Sequence, residues 1–206
     1  MNLDGYALPI KNLKGTKSLD LSGKKLGVAS AIVIASLISV NGSLTALDLS
    51  NNELKDEGVS AVCEAIQSIK ETKLASLNFR ANGIGPVGAN AVAAMVVVTG
   101  VLTKLSLAKN ELGEVGMKAI CEALEQNKTL KELDVSGSMF GNSNIGGPAG
   151  VKHVAKMLGV NGSLTSLDLS NNALCGRTMY CGTYTAEGIS AIADALRVNG
   201  SLTKIA

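Results

Sequence analysis

The chain has 206 residues and carries 19 basic and 17 acidic side chains, which gives a formal net charge of +2. A charge this close to zero provides no strong attraction toward nucleic acid, so a nucleic-acid partner is not expected. Aromatic residues make up only 2% of the chain and tryptophan is absent, which indicates a core of aliphatic side chains.

Residues 1–15 precede the first copy of a repeated motif, and we expect them to form an N-terminal cap over the first strand. The segment lacks the apolar stretch of a signal peptide. The apolar run 28–40 is too short to span a bilayer and is expected to be a buried helix. We therefore predict a cytoplasmic protein with no membrane partner.

A motif of the form L-x-x-L-x-L-x-x-N-x-L recurs along the rest of the chain and is nearly identical at 43–54 and 163–174. Its alternation places two leucine-type side chains on one face of a short strand. The second half of each copy is typical of a helix with one solvated face. Six full repeats and a truncated seventh begin at Thr16, Leu44, Leu74, Leu102, Leu130, Leu164 and Leu202.

This signature resembles the ribonuclease-inhibitor-like class of leucine-rich repeats over roughly residues 16–206. The class includes ribonuclease inhibitors, the Ran GTPase-activating protein and the sensor regions of nucleotide-binding immune receptors. The resemblance implies an α/β horseshoe, a solenoid with a curved parallel sheet on the concave side and helices on the convex side. It also implies a non-catalytic protein-interaction or scaffold module with a protein partner of unspecified identity. The alternative is a regulator of a small GTPase.

Asparagines at the ninth position of the motif are expected to bond the backbone of adjacent repeats where no sheet ladder does so. Lys24 and Ser138 replace asparagine in the first and fifth repeats, so the ladder is predicted to break at both. The break at Ser138 coincides with an inserted loop. The predicted ladder consists of Asn52, Asn82, Asn110 and Asn172.

One helical phase holds small residues and is predicted to be buried between neighbouring helices: Ala35, Cys63, Ala93, Cys121, Ala155 and Ala193. Because neighbouring helices lie roughly 8–10 Å apart, cysteines two repeats apart cannot bridge. Cys175 and Cys181 lie within one loop and could pair.

The fifth and sixth repeats carry insertions at 137–147 and 175–185, each between a strand and a helix, so the loops are expected to lie side by side on one rim. Insertions on one edge of a solenoid often form its binding face. Alternatively, Phe140 and Tyr184 turn inward to fill space. The rim candidates for partner binding are Met139, Phe140, Arg177, Met179, Tyr180 and Tyr184.

The concave face is the weaker candidate, because aspartate and serine there could simply keep the sheet soluble. Side chains between the strand leucines point away from the core. The candidates for partner binding on this face are Asp20, Asp48, Arg80, Lys104, Asp134 and Asp168.

The sequence contains no motif typical of a catalytic site or a metal site. The one histidine, His153, has no phased cysteines or carboxylates, so no metal, no cofactor and no enzymatic activity are predicted. The sequence stops at Ala206 within a predicted strand, without a capping segment. We therefore expect either a piece of a longer array or self-association through this uncapped C-terminal end.

Overall fold

The computed structural model describes residues 2–3, 5–7, 15–139, 143–176 and 183–206. Strands and helices alternate from Ser18 onward, as the repeat predicts. The strands are β1 (Asn2–Leu3), β2 (Tyr6–Ala7), β3 (Ser18–Asp20), β4 (Ala46–Asp48), β5 (Ser76–Asn78), β6 (Lys104–Ser106), β7 (Glu132–Asp134), β8 (Ser166–Asp168) and β9 (Lys204–Ile205). The helices are α1 (Val28–Ile38), α2 (Lys55–Ser68), α3 (Pro86–Val98), α4 (Gly113–Gln126), α5 (Gly147–Leu158) and α6 (Glu187–Val198).

Strands β3 to β9 form one parallel sheet in sequence order, and each pairs only with its chain neighbours. The register is constant, since Leu47 pairs with Leu19 on one side and Leu77 on the other. This arrangement confirms the predicted leucine-rich-repeat solenoid. Strands β1 and β2 form a separate antiparallel pair near the N-terminus, and the apolar residues 8, 10 and 13 of the predicted cap lie outside the described residues.

The core lies between the sheet and the helices. The middle residue of each strand from β4 to β8 is a leucine that is at most 2% exposed, and Phe79 just beyond β5 is fully buried. Burying a leucine side chain contributes about 1.5–3 kcal/mol. The predicted phase is therefore correct for Leu47, Leu77, Leu105, Leu133 and Leu167.

Buried asparagine amides connect successive repeats beyond the strands. The amide nitrogen of Asn110 donates to the carbonyls of Phe79 and Leu107 at 3.1 and 2.9 Å. Its oxygen accepts the backbone N–H groups of Asn82 and Ile84 at 2.9 and 3.1 Å. These bonds satisfy backbone groups that the three-residue strands leave unpaired, as the motif predicts.

The fifth repeat does not break this ladder, so the prediction based on Ser138 is wrong. Asn144 is fully buried, and its amide nitrogen donates to the carbonyls of Leu107 and Val135 at 3.0 Å each. Its oxygen accepts the N–H of Leu112 at 3.4 Å. The insertion therefore lies before the asparagine, which is displaced along the chain but keeps its position in space. In the first repeat the ladder does end, because Lys24 stands at the asparagine position. The backbone N–H of Lys24 donates to the side-chain oxygen of Asn52 in the next repeat.

Glycine near the start of α2 and of α4 allows neighbouring helices to approach closely. A Cβ placed on Gly58 would lie 2.8 Å from the Cβ of Ala31, and one on Gly116 would lie 2.7 Å from that of Ala89. Both distances are too short for packed carbon atoms. Pro86 occupies the first turn of α3, where the missing N–H has no helical partner to lose.

The predicted buried column holds for five of its six members. Cys63 and Cys121 are buried, and burial raises the pKa of both thiols well above the ordinary range. Ala193 is exposed, because α6 has no helix packed against its outer side within the described residues. Cys175 is partly exposed and carries a free thiol, while Cys181 lies outside the described residues.

Candidate partner-binding surfaces

The concave face is the side of the sheet opposite the helices, and its aspartates are held in fixed orientations. Each accepts the backbone N–H two residues further on, at 2.9 Å for Asp20, 2.8 Å for Asp48 and 2.9 Å for Asp168. The bonds from Ser22, together with nearby Lys24, hold the pKa of Asp20 below its usual value. These carboxylates therefore present charge without losing conformational freedom on binding.

Neighbouring repeats already engage several of the concave candidates. The amide of Asn78 donates to Asp48 at 2.9 Å, and the hydroxyl of Ser106 donates to Asp134 at 3.1 Å. Lys104 forms an exposed ion pair of 2.8 Å with the adjacent glutamate of β7. Arg80 is half-buried beside Asn78. Much of the charge on this face is thus satisfied within the sheet, which leaves Asp20 and Asp168 most available to a ligand.

Two shallow depressions lie on the concave face. One of about 320 Å³ extends across β5 to β9 and includes Asn78, Lys104, Asp134 and Asp168. The other, of about 310 Å³, extends across β3 to β5 and includes Asp20 and Asp48. Both are open and lined by small polar side chains. They resemble a flat contact surface more than an enclosed small-molecule pocket.

The described flanks of the two insertions lie next to each other, as predicted. Gly137 donates its backbone N–H to the carbonyl of Ser170 at 2.8 Å, and Ser143 bonds Asn172 at 3.4 Å. The rim candidates Phe140, Arg177, Met179 and Tyr180 lie outside the described residues.

Met139 and Tyr184 are the two described rim candidates, and each is 63% exposed. Tyr184 therefore does not turn inward, and that alternative is wrong for this residue. A single exposed aromatic needs no explanation, but a tyrosine and a methionine on adjoining loops are residue types that interfaces enrich.

One apolar surface gave no repeat signal and emerges only in the structure. The outward face of α3 carries exposed Val87, Val97 and Val98 and no charge, whereas the outward faces of α2 and α4 carry exposed glutamates, on α4 beside exposed Val115. The available clue in the sequence was that residues 86–98 contain no charged side chain.

The one histidine of the chain takes part in a contact between repeats. His153 lies 3.5 Å from Glu114 on the helical side. The described residues contain no cluster of three or more His, Cys, Asp or Glu side chains suited to a metal ion. None of the described helices has the length and apolar character needed to cross a membrane.

Comparisons with known proteins agree with this architecture. A family model described as Leucine Rich repeat matches residues 40–63 and 101–121, and a second Leucine Rich Repeat model matches 163–181. NACHT, LRR and PYD domains-containing protein 12 of Mus musculus is 34% identical over 157 residues, 76% of this chain and 14% of that protein. The Ribonuclease inhibitor of Mus musculus is 33% identical over 135 residues, 65% of this chain and 28% of the inhibitor.

Among solved structures, the tropomodulin C-terminal domain of Caenorhabditis elegans superposes with a TM-score of 0.59 at 15% identity, covering 84% of this chain and 92% of that one. Identity this low shows the fold alone. The chain is a leucine-rich repeat protein. Its alternating strand and helix units and its relatives place it in the ribonuclease-inhibitor-like class. It spans less than a third of the length of the curated relatives described above.

Proposed function

We propose that this chain is a non-catalytic protein-interaction module, and that its partner contacts the loop rim. The observation that carries the proposal is the exposure of Met139 and Tyr184 on adjoining loops. Aromatic, methionine and arginine side chains dominate the energetics of protein interfaces. The proposed rim residues are Met139, Phe140, Arg177, Met179, Tyr180 and Tyr184.

The concave face has the weaker claim to the partner. Several of its charges are satisfied by neighbouring strands, as for Asp48 and Asp134, so replacing them by a partner's groups gains little. Its proposed contact residues are Asp20, Asp48, Arg80, Lys104, Asp134 and Asp168.

The test begins with a photo-crosslinking amino acid at position 184, and with the same group at exposed Glu122 on the helical side as a control. A protein captured at position 184 alone is then measured against variants in solution. Tyr180→Ala and Arg177→Ala should each weaken binding by at least about 1 kcal/mol, while Asp48→Ala should change it little. If substitutions of the concave aspartates weaken binding more than those of the rim residues, the partner binds the concave face instead.

A role as a small-GTPase regulator is the second proposal, and it rests on class resemblance alone. Hydrolysis of GTP by a small GTPase, followed with and without the chain, separates the two proposals, because an interaction module leaves the rate unchanged. Cytoplasmic localisation is also proposed.

Self-association through the C-terminal end is a further part of the proposal. Ile189 is 50% exposed, whereas its counterpart Met117 in α4 is fully buried. Leu196 and Ile205 are likewise more exposed than their counterparts in earlier repeats. Sedimentation of the chain over a range of concentrations tests this contact, and Ile189→Ser should shift any dimer toward monomer.

A further inference from the structure

The outward face of α3 is uncharged and largely apolar, where a solvent-facing helix normally carries charge. Val87, Val97 and Val98 are 66%, 59% and 63% exposed, and between them lie exposed Ala94 and one exposed polar residue, Asn90. A solvent-facing helix is normally polar on this side, and one that is apolar all round is normally buried. Clusters of exposed large apolar side chains mark interaction sites.

Neighbouring repeats show that the solenoid does not require an apolar surface here. Helix α2 carries polar side chains at the positions that match Val87, Ala94 and Val97, namely Glu57, Glu64 and Gln67. On α4 the matching positions hold Val115, Glu122 and Glu125. The same fold thus accepts charged residues at most of these positions, so packing within the solenoid does not account for the valines.

The apolar strip continues into a groove of about 390 Å³ between the C-terminal ends of α2 and α3. Val98 and Val101 line one wall, and Ile66 and Ile69 line the other. The rest of the lining is mostly polar and includes Lys70 and Glu71, of opposite charge, with Gln67, Thr72 and Thr99. An apolar strip that ends in a groove of mixed lining suits an elongated amphipathic ligand, such as a helix.

Charge along the two borders of the strip is unequal. Glu57 and Glu64 on α2 are exposed and form no ion pair with any described residue. On the opposite border, Lys118 and Glu122 lie 3.9 Å apart on α4 and offset each other. Lys55 is directed away from the strip, with its ammonium group close to Gly83. The strip therefore has one acidic border and one nearly neutral border.

This asymmetry selects among the possible occupants. A second copy stacked antiparallel through α3 would place each Glu57 and Glu64 border against the same border of its partner, where like charges repel. An anionic lipid surface would be repelled for the same reason. A helix with an apolar face and lysine or arginine along one flank satisfies both the valines and the carboxylates.

We propose that the outward face of α3, with the groove at its C-terminal end, binds an amphipathic helix of a partner protein whose apolar face has a basic flank. The valines supply the apolar contact, and Glu57 with Glu64 fixes the direction of the bound helix. This surface lies on the helical side of the solenoid, whereas the loop rim lies between strand and helix, so both can be occupied at once.

The test uses the whole chain and two synthetic helical peptides with the same leucine and alanine face. One peptide carries lysines along one flank, and the other carries glutamates at the same positions. Fluorescence anisotropy of labelled peptide reports binding. The lysine peptide should bind at least about tenfold more tightly than the glutamate peptide, and this preference should shrink as salt rises.

Two double variants separate the apolar and acidic contributions. V97S with V98S should weaken the lysine peptide at least about tenfold, and E57Q with E64Q should reduce its preference over the glutamate peptide to about twofold or less. V160S, at a valine that is 59% exposed beyond α5, is the matched control and should leave binding unchanged. All these positions are exposed, so circular dichroism should show an unchanged fold.

Several outcomes would overturn the proposal. Equal affinity for the two peptides would show that the acidic border does not contribute to binding. Binding unaffected by V97S with V98S would show that the peptide does not bind at the outward face of α3. Concentration-dependent dimers abolished by V97S with V98S would assign the face to a second copy. Binding to phosphatidylcholine–phosphatidylserine vesicles that the same variant abolishes would assign it to lipid.

Discussion

Replacing Asn144 with alanine tests whether the fifth repeat keeps its asparagine ladder. The amide nitrogen of Asn144 donates to Leu107 and Val135, and its oxygen accepts the N–H of buried Leu112. Alanine removes these three bonds and a longer one of 3.4 Å to the carbonyl of Ser136, which keeps the N–H of Lys109 as a donor. An ordinary loop residue at this point in an insertion would be replaced at almost no cost.

The expected loss of stability depends on which backbone groups keep another hydrogen-bond partner in the variant. The Leu107 carbonyl still accepts from Asn110 at 2.9 Å, and that of Val135 still accepts from Asn172 at 2.8 Å. Each lost bond to these carbonyls therefore costs about 0.5–1.5 kcal/mol. The N–H of Leu112 is left without an acceptor, which costs about 1–3 kcal/mol. Asn144→Ala should therefore lower the free energy of unfolding by about 2–6 kcal/mol.

Urea unfolding followed by circular dichroism measures this difference, with an unchanged dependence on urea showing that both proteins unfold to the same extent. Asn90→Ala is the matched control. Asn90 is exposed on α3 and bonds only within its own helix, so its replacement should change stability by less than about 0.5 kcal/mol. A loss below about 0.5 kcal/mol for Asn144→Ala would refute the displaced ladder.

Three further predictions concern the core, the thiols and acid. Leu105→Ala should lower the free energy of unfolding by about 2–5 kcal/mol. Because repeats depend on their neighbours, hydrogen exchange should accelerate in β5 and β7 as well as in β6. Faster exchange confined to β6 would contradict this coupling. Cys63 should resist thiol reagents in the native protein, because burial keeps its thiol protonated. The partly exposed Cys175 should react faster. Rapid labelling of Cys63 in the native protein would contradict its burial in α2. Lys152, 2.7 Å from Glu187, holds the pKa of that carboxyl below its usual value, so the pair stabilises the fold at neutral pH and loses this effect as pH falls through the lowered pKa. Lys152→Gln should raise the pKa of Glu187 in an NMR titration, and no change would rule out the ion pair.

The leucine positions could be predicted from the sequence because their burial follows from local alternation. A strand with leucine at its centre and polar residues beside it can bury only one of its two faces, so local alternation alone predicts that Leu133 is buried and that Asp134 is not. Repetition then stacked the strands in one register, since each unit can bury its apolar side only against a copy of itself. The asparagine ladder followed wherever the spacing was regular.

Other features depended on what lies across the repeat boundary. Asn144 belongs to the ladder because of the carbonyls it meets in space, and an insertion hides that position from spacing. Ala193 shares the sequence phase of Cys121 but is exposed, because burial requires a helix on the next side. The valines of α3 follow the helical pattern of a buried segment, yet Val87 and Val98 face solvent. Periodicity in the sequence sets which side chains share a face, whereas only the packing of neighbouring repeats decides whether that face is covered.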